Sequence, residues 1–378
     1  MLNHPADTMT VAIVANTVWN LSNFRMPLIK AFVLNGYRVV LLAPNGDGIE
    51  KLEAEGAQFI PLKSLRRKSI NPITDLRLLA ELRRLYRREK IDAALHYTIK
   101  PVIYGSLAAR LLGVKSIATI TGLGYTFLGG KLNTLLTSMF YRLALRKTEV
   151  VFFQNPDDRK LFIDWKIVSP SVCELSPGSG IDLGYYAYVS YSCASPGRFL
   201  FVGRLLSDKG IREFVEAARR ARVVRPELSF QAIGGLDEGN PASVSSAELS
   251  TWKKEGVVEF LGNLPDVRPA LAEASFVVLP SYREGCPRVL LEAAATGRPL
   301  IAFDVPGSRE IVLDKKTGWL VPARDEIALG DTFLQAVAEP FSERQLMGER
   351  GRALMESKFS DTFVAKLYLD KLRSFSQA

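Results

Sequence analysis

The chain has 378 residues, of which 47% are hydrophobic and 24% charged; this is the composition of a folded globular protein and it excludes general disorder. Its net charge of +9 lies in the first half, because residues 1–190 hold 24 basic and 15 acidic residues. A basic half of this kind suits nucleic acid, anionic lipid or a phosphorylated small molecule. Three widely spaced cysteines and two histidines argue against a disulfide framework and against a histidine-based zinc site.

The first half predicts alternating strands and helices. The predicted strands are Thr10–Ala15, Arg38–Ala43, Phe59-Ile60, Asp92–Leu95, Ser116–Ile120 and Val150–Phe153, and the clearest predicted helices are Met26–Asn35 and Asp75–Glu89. Short apolar runs are typical of buried parallel strands, and repeated strand–helix units predict a doubly wound α/β sheet.

A second strand–helix series follows an uncharged segment rich in Gly, Ser and Tyr. Its predicted strands are Arg198–Val202, Ser229–Ile233, Val258–Leu261, Ser275–Leu279, Pro299–Phe303 and Gly318–Val321. We therefore predict a first domain of residues 1–183, a linker of residues 184–197 and a second domain of residues 198–359, with a helix at about 360–378 packing back on the first. Ligands of such sheets bind at the carboxyl ends of strands, so a cleft between the domains is the expected site.

The strongest constellation lies in the second domain, where the strand Phe276–Ser281 is followed by the turn YREGCP and the helix Arg288–Ala295. Pro287 suits the first position of that helix, whose free backbone N–H groups and positive dipole suit a phosphate. Glu284 stands just before the helix, and Glu292 follows Glu284 at a distance of about two helical turns. A carboxylate there can accept both hydrogen bonds of a ribose diol. The alternative is that both glutamates are ordinary surface residues.

A second constellation follows the strand Arg198–Val202. Gly203 permits close backbone approach, and Arg204 and Lys209 place two cations at one strand end, as a diphosphate requires. The chain has no Asp-x-Asp pair, so a carboxylate-held divalent ion is not indicated. Ordinary surface cations are the alternative.

Together these residues resemble glycosyltransferase family four, whose members are retaining enzymes of the GT-B fold: two Rossmann-like α/β domains that face each other across a cleft. The resemblance rests on the Glu-(seven residues)-Glu motif Glu284–Glu292, on Gly203–Gly210, on GSGID (Gly178–Asp182) and on VPGSREIV (Val305–Val312). In the first domain, Thr98–Val114 and Thr119–Phe127 resemble bacterial N-acetylgalactosaminyltransferases that extend undecaprenyl-diphosphate-linked saccharides.

The resemblance implies a metal-independent, cofactor-free transfer of a sugar, an N-acetylhexosamine, from a UDP-sugar to a polyprenyl-diphosphate-linked saccharide in bacterial surface-glycan or glycoprotein-glycan assembly. It implies that Arg204 and Lys209 hold the donor diphosphate, that Glu292 binds the ribose and that Glu284 contacts the donor sugar. It also implies that further donor contacts come from the backbone around Cys286, Pro287, Arg288, Gly234-Gly235 and Gly262.

The acceptor side departs from the family pattern. The loop Asn16–Arg25 lacks the glycine pair that many relatives carry. Arg25, the last residue of this loop, is a candidate cleft residue. Thr121, followed by Gly122, stands where many relatives have a histidine. His96 could line the cleft instead, although a structural role is equally consistent with its pattern. Lys100 could meet an acceptor phosphate or be an ordinary solvated lysine.

The segment Leu132–Leu145 is rich in leucine and is followed by Arg146 and Lys147. Such an amphipathic helix, beside the basic helix Asp75–Lys90, predicts peripheral attachment to anionic lipid on the cytoplasmic face of the inner membrane. A helix buried against the sheet is the alternative. Other functions left open are a sugar-nucleotide epimerase, a soluble glucan synthase, and a basic module that binds membrane or nucleic acid; the leading interpretation expects no nucleic acid.

Overall fold

The computed structural model describes residues 9–66, 71–123, 131–191 and 197–376, and the side chains of residues 131–133 are not part of the description. The chain forms two compact units, the first made of residues up to Gly180 and from Asp361 onward, the second of Ile181–Ser360. The predicted linker therefore belongs to the second unit where it is described. Val189, for example, donates its backbone N–H to the carbonyl of Thr296 over 3.1 Å. Residues 192–196 of that predicted linker lie outside the description.

The first unit contains a seven-stranded parallel sheet. Its strands are β1 (Thr10–Val14), β2 (Arg38–Ala43), β3 (Gln58–Pro61), β4 (Ala93–Tyr97), β5 (Lys115–Ile120), β6 (Val150–Phe153) and β7 (Cys173–Leu175). They are ordered β3-β2-β1-β4-β5-β6-β7. Every residue of β1, β4 and β6 is buried, as expected of parallel strands covered on both faces. The sequence analysis did not predict β7, which has only three residues.

Among the described residues before 181, this unit has seven α-helices. They are α1 (Val18–Phe24), α2 (Met26–Leu34), α3 (Ile49–Glu53), α4 (Pro72–Arg88), α5 (Ser106–Leu112), α6 (Lys131–Leu145) and α7 (Pro156–Asp164). Helix α4 begins where its residues favour it, because the Asn71 side chain accepts the N–H of Ile73 and Pro72 occupies the first turn. Helices α1 and α2 cover one face of the sheet. Helices α4, α5 and α6 cover the opposite face.

The second unit contains a six-stranded parallel sheet of order β10-β9-β8-β11-β12-β13. Its strands are β8 (Arg198–Val202), β9 (Ser229–Ile233), β10 (Glu259–Gly262), β11 (Phe276–Leu279), β12 (Leu300–Phe303) and β13 (Gly318–Val321). Its helices are α8 (Ile211–Val224), α9 (Ser246–Glu255), α10 (Arg268–Glu273), α11 (Arg288–Ala295), α12 (Glu326–Ala338) and α13 (Phe341–Leu354). The core of this unit is aromatic, with Phe199 stacked between Phe230 and Phe276.

The chain returns to the first unit as α14 (Asp361–Ser376). This helix joins the sheet face that α1 and α2 cover. Its Tyr368 packs on Phe152, with 4.7 Å between ring centroids, and its hydroxyl lies 2.8 Å from Oγ1 of Thr119. The first unit therefore completes its core with residues that follow the second.

Each sheet reverses its strand order once. The reversal lies between β1 and β4 in the first unit, and between β8 and β11 in the second. The predicted fold class of two doubly wound parallel α/β sheets is confirmed. The carboxyl ends of strands at such a reversal are where open α/β sheets bind ligands.

Candidate active site

The second unit brings two of the predicted catalytic residues into direct contact. Lys209 follows β8 and Glu284 follows β11, 75 positions later, and Nζ of Lys209 lies 2.5 Å from Oε1 of Glu284. Both side chains are largely buried, with 22% and 13% of their surfaces exposed. Because β8 and β11 are neighbours at the strand reversal, their following loops meet at one edge of the sheet.

Gly210 allows this close approach. It has φ +73°, and a Cβ at this position would lie 1.9 Å from the carbonyl oxygen of Pro280, the residue directly after β11. The two loops also meet in a backbone hydrogen bond, in which Tyr282 donates its N–H to the carbonyl of Asp208 over 2.9 Å. A side chain at residue 210 would therefore separate the loops that carry Lys209 and Glu284.

Arg204 is held by a residue that the sequence analysis did not single out. Its Nη1 lies 2.5 Å from Oδ2 of Asp237, and half of the Arg204 side chain is exposed. Asp237 belongs to a loop that pairs with the loop after β8, since Ser207 donates its N–H to the carbonyl of Ala242 over 2.8 Å. The one signal in the sequence was the position of Asp237 shortly after Gly234-Gly235, where the uracil contacts are expected.

Three predicted glycines lie at the carboxyl ends of adjacent strands: Gly203 follows β8, Gly234 follows β9 and Gly262 ends β10. Gly203 donates its N–H to the carbonyl of Ile233 over 2.9 Å, and Gly234 donates to the carbonyl of Gly262 over 2.8 Å. Gly234 has φ +139°, and a Cβ there would lie 1.9 Å from the oxygen of Gly203. The strand ends thus present bare backbone beside Arg204, which is the surface a flat base needs for close approach.

Glu292 lies on α11, the helix that follows the Glu284 loop. Pro287 is the N-cap of this helix rather than its first residue, a one-position correction. Nε of Arg288 lies 3.1 Å from Oε1 of Glu292, and only 12% of the Glu292 side chain is exposed. The carboxylate of Glu292 and burial together raise the pKa of Tyr186 above its usual value, burial being the larger cause.

Cys286 stands one residue before the N-cap of α11. Burial, then the carboxylates of Glu310 and Glu284, raise the pKa of its thiol to about 12. The thiol therefore stays protonated at neutral pH and is a weak hydrogen-bond donor rather than a nucleophile. Its predicted part as a backbone neighbour of the donor needs no thiolate.

In the first unit, the predicted acceptor residues form two groups. Three are partly exposed (Lys100, Thr121 and Gly122) and two are buried (Arg25 and His96). Thr121 and Gly122 follow β5 and are partly exposed, and their place in an acceptor site stays a prediction. Lys100 follows β4, and its Nζ lies 2.6 Å from Oδ1 of Asp75, whose Oδ2 accepts the hydroxyl of Tyr104 over 3.0 Å. Lys100 is thus an ion-paired residue near the strand reversal, not the freely solvated lysine of the alternative interpretation.

His96 is a core residue, so the prediction that it lines the cleft is wrong. It has no exposed surface, and its Nε2 lies 2.9 Å from the hydroxyl of Tyr86. Its Nδ1 lies 3.3 Å from the hydroxyl oxygens of Ser106 and Ser116. Burial lowers the pKa of the imidazole to about 3, so the ring is neutral and acts as a hydrogen-bonding core group.

The prediction that Arg25 lines the cleft is also wrong. Only 4% of it is exposed, and its guanidinium carbon lies 3.7 Å from the ring centroid of Tyr97. The side chain is therefore a buried cation stacked on an aromatic ring, not a cleft-lining residue.

No helix within the described ranges is both long enough and apolar enough to cross a bilayer. Helix α6 instead has two different faces. Tyr141, Ala144 and Leu145 are buried against the unit, whereas other apolar residues are exposed to solvent: Leu135, Leu136, Met139, Phe140 and Leu143. The alternative of a helix packed against the sheet is therefore confirmed for one face, whereas membrane attachment through the other face stays a prediction.

Comparisons with known proteins agree with this geometry. The family described as "Glycosyl transferase 4-like" matches residues 11–155, and "Glycosyl transferases group 1" matches residues 196–339. The chain is 25% identical, over 82% of its length and 84% of the relative's, to N,N'-diacetylbacillosaminyl-diphospho-undecaprenol alpha-1,3-N-acetylgalactosaminyltransferase from Campylobacter jejuni. It is 26% identical, over 74% of both chains, to UDP-Gal:alpha-D-GlcNAc-diphosphoundecaprenol alpha-1,3-galactosyltransferase from Escherichia coli.

Solved structures show the same fold. Sucrose-phosphate synthase from Thermosynechococcus elongatus superimposes with a TM-score of 0.80 at 19% identity, covering 98% of this chain and 100% of that one. HepE from Anabaena, in complex with UDP and glucose, superimposes with a TM-score of 0.79 at 16% identity, covering 97% and 100%. The chain therefore consists of a 4-like glycosyltransferase domain followed by a group 1 glycosyltransferase domain, in agreement with the resemblance of its motifs, and is a glycosyltransferase with the GT-B fold.

Proposed function

We propose that this glycosyltransferase moves an N-acetylhexosamine from a UDP-sugar to a saccharide linked to polyprenyl diphosphate, with retention of configuration and without a metal ion. The observation that carries the proposal is the contact between Lys209 and Glu284 at the strand reversal of the second unit. It joins a cation suited to the donor diphosphate to a carboxylate suited to the donor sugar. Similarity to transferases that act on diphosphoundecaprenol-linked sugars supports the acceptor class.

In this proposal, the protein supplies positive charge where the leaving UDP becomes more negative. Arg204 and Lys209 lie in the loop that follows β8, and α11 begins after Pro287 with the positive end of its helix dipole. Preorganised donors of this kind stabilise a developing charge without reorganisation during the reaction. Glu284 contacts the donor sugar beside Lys209, and Glu292, held by Arg288, accepts the ribose hydroxyls.

The acceptor lipid requires that the enzyme work at a bilayer, and the first unit offers a suitable face. Helices α4, α5 and α6 lie on one side of its sheet and expose apolar side chains, among them Leu76, Leu111 and Phe140. Exposed arginines accompany these residues along α4 and α6, and each cation near an anionic leaflet contributes about 1 kcal/mol. We place this face on the cytoplasmic side of the inner membrane.

The test is a calorimetric titration with UDP in EDTA. Wild type should bind, whereas Arg204→Ala/Lys209→Ala should bind at least roughly a hundredfold more weakly, because two charge-assisted contacts are lost. Arg225→Ala/Lys253→Ala removes two exposed cations from the same unit and should leave the UDP affinity unchanged. Equal binding by both double variants would contradict the assigned diphosphate site, and binding that needs Mg²⁺ would contradict metal independence.

A transfer assay then tests the reaction, with UDP-GalNAc and UDP-Gal as donors and GlcNAc-diphosphoundecaprenol as acceptor. Glu284→Ala should abolish transfer and retain UDP binding. If Glu284→Ala loses both in equal measure, Glu284 shapes the donor site rather than contacting the sugar. Transfer to soluble glucan but not to the lipid-linked sugar would favour the glucan synthase alternative.

A further inference from the structure

Helix α1 presents an exposed tryptophan beside the carboxyl end of β1. Trp19 is 62% exposed, although its ring is held edge-on against Phe24 with 5.0 Å between centroids. The helix itself is fixed by its N-cap, because Oγ1 of Thr17 accepts the N–H of Asn20 over 3.0 Å. The indole is thus both rigid and accessible, which is the usual condition of an aromatic residue that binds a ligand.

A chain of contacts connects this helix to the end of β4. The guanidinium of Arg25 lies 6.0 Å from the ring centroid of Phe24 and 3.7 Å from that of Tyr97. Tyr97 is the last residue of β4, and Thr98 follows it. Trp19 and Thr98 therefore flank the strand reversal of the first unit, where β1 and β4 are neighbours.

Thr98 is held in an unfavourable backbone conformation. Its φ of +71° is rare for a β-branched residue, and such strain is found where the surrounding structure fixes a residue for function. In the described part of the chain, its Oγ1 is buried and has no hydrogen-bond partner, and the same holds for Oδ1 of Asn20. A buried acceptor without a partner destabilises the protein unless a ligand or a water molecule completes it.

We infer that Trp19, Asn20 and Thr98 form a subsite for the acceptor saccharide; this rests on the proposed function and extends it to named residues. The indole stacks on the C–H face of a pyranose ring. Asn20 and Thr98 are each only partly buried as residues, so rotation of their side chains would bring Oδ1 of Asn20 and Oγ1 of Thr98 to hydroxyl groups of the sugar, directly or through one water molecule. An apolar platform with a few fixed polar groups is the common design of a small-ligand site.

The position of α1 favours a saccharide over a lipid as the partner of Trp19. Its buried residues Val18 and Leu21 pack on the sheet face opposite to the one that α4, α5 and α6 cover. The exposed apolar residues assigned to the membrane therefore lie on the other side of the sheet. The polar atoms next to Trp19 also suit hydroxyl groups better than acyl chains.

The test uses GlcNAc diphosphate with a short, water-soluble alkyl chain as the acceptor, so that membrane binding does not enter. Trp19→Ala should raise the acceptor KM about tenfold, Trp19→Phe should restore most of the difference, and the UDP affinity should stay the same. Trp165→Ala removes another exposed tryptophan from the first unit and should leave the acceptor KM unchanged. Thr98→Gly should raise the acceptor KM while raising the temperature of unfolding, because it removes both the hydroxyl and the strain.

An unchanged acceptor KM in Trp19→Ala would overturn the inference. If Trp19→Ala loses vesicle binding while its acceptor KM stays the same, Trp19 is a membrane anchor and the inference is overturned. If Trp19→Ala loses UDP affinity by the same factor as acceptor affinity, Trp19 is a structural residue and the inference is again overturned. If wild type transfers no sugar, the proposed function fails. Calorimetric titration of the same acceptor into wild type and Trp19→Ala then decides the inference: weaker binding by the variant supports it, and equal binding or none overturns it.

Discussion

Gly210→Ala should separate the two loops that carry Lys209 and Glu284, although Gly210 is not itself one of the predicted catalytic residues. The added Cβ would lie 1.9 Å from the carbonyl oxygen of Pro280, well inside the 3.4 Å at which ordinary contacts begin. Relief requires the loops after β8 and β11 to move apart, and overpacking of this kind costs about 1–3 kcal/mol. The φ of +73° adds about 1 kcal/mol for any residue with a Cβ.

Gly256→Ala is the matched control. Gly256 ends α9 with φ +65°, and a Cβ there would meet nothing within 4 Å. This variant therefore has the backbone cost of about 1 kcal/mol without the collision. For a unit of this size, 1 kcal/mol lowers the temperature of unfolding by about 2–4 °C. We expect a decrease of about 2–4 °C for Gly256→Ala and of about 4–16 °C for Gly210→Ala.

Thermal unfolding and UDP calorimetry on the two variants check this reasoning. Because Lys209 and Glu284 sit on the separated loops, Gly210→Ala should also weaken UDP binding by about tenfold, whereas Gly256→Ala should not. If the two variants lose equal stability, or if Gly210→Ala binds UDP as wild type does, then the contact at Pro280 does not control the site.

Two further predictions concern the first unit. Because burial lowers the pKa of His96 to about 3, the unfolded chain takes up its proton first, and stability falls as pH decreases below about 6.5. Between pH 7 and pH 5, this uptake of a proton should lower the free energy of unfolding by about 2 kcal/mol. His96→Gln should therefore flatten this part of the plot of urea midpoint against pH, and an unchanged slope would contradict the role given to His96. Met139→Glu/Phe140→Glu should reduce binding to anionic vesicles at least tenfold, as measured by co-sedimentation. Leu34→Ser changes an exposed residue on the opposite face of the sheet and should leave vesicle binding unchanged. Equal losses by the two variants would contradict the assigned membrane face.

The sequence predicted well what is set by local pattern and by parallel topology. Buried apolar runs identified the long strands, and the rule that ligands bind at carboxyl ends pointed to Lys209 and Glu284 although 75 positions separate them. The same rule failed for His96, because it cannot tell a residue at the end of a strand from one within it. His96 is the fourth residue of β4, and its ring packs inward beside Gly105.

Other features of the site depend on tertiary contacts that no local pattern encodes. Asp237 became part of the site only because its loop pairs with the loop after β8. For Lys100 the sequence left an acceptor phosphate and solvation as alternatives, and it did not reveal the ion pair with Asp75, because this pair depends on the packing of two separate segments. The strain at Thr98 is a backbone property that a threonine in a sequence does not reveal.

The return of α14 to the first unit has a consequence for synthesis of the protein. Tyr368 and Leu372 are buried in the same core as β1 and β2, so the ribosome must reach them before that core can close. The unit from Ile181 to Ser360 is continuous, and its two ends meet where Ile181 pairs with Ser360. On a growing chain, the unit translated later can therefore finish folding before the one translated first. Until then, the earlier unit exposes an apolar sheet face, the kind of surface that chaperones protect.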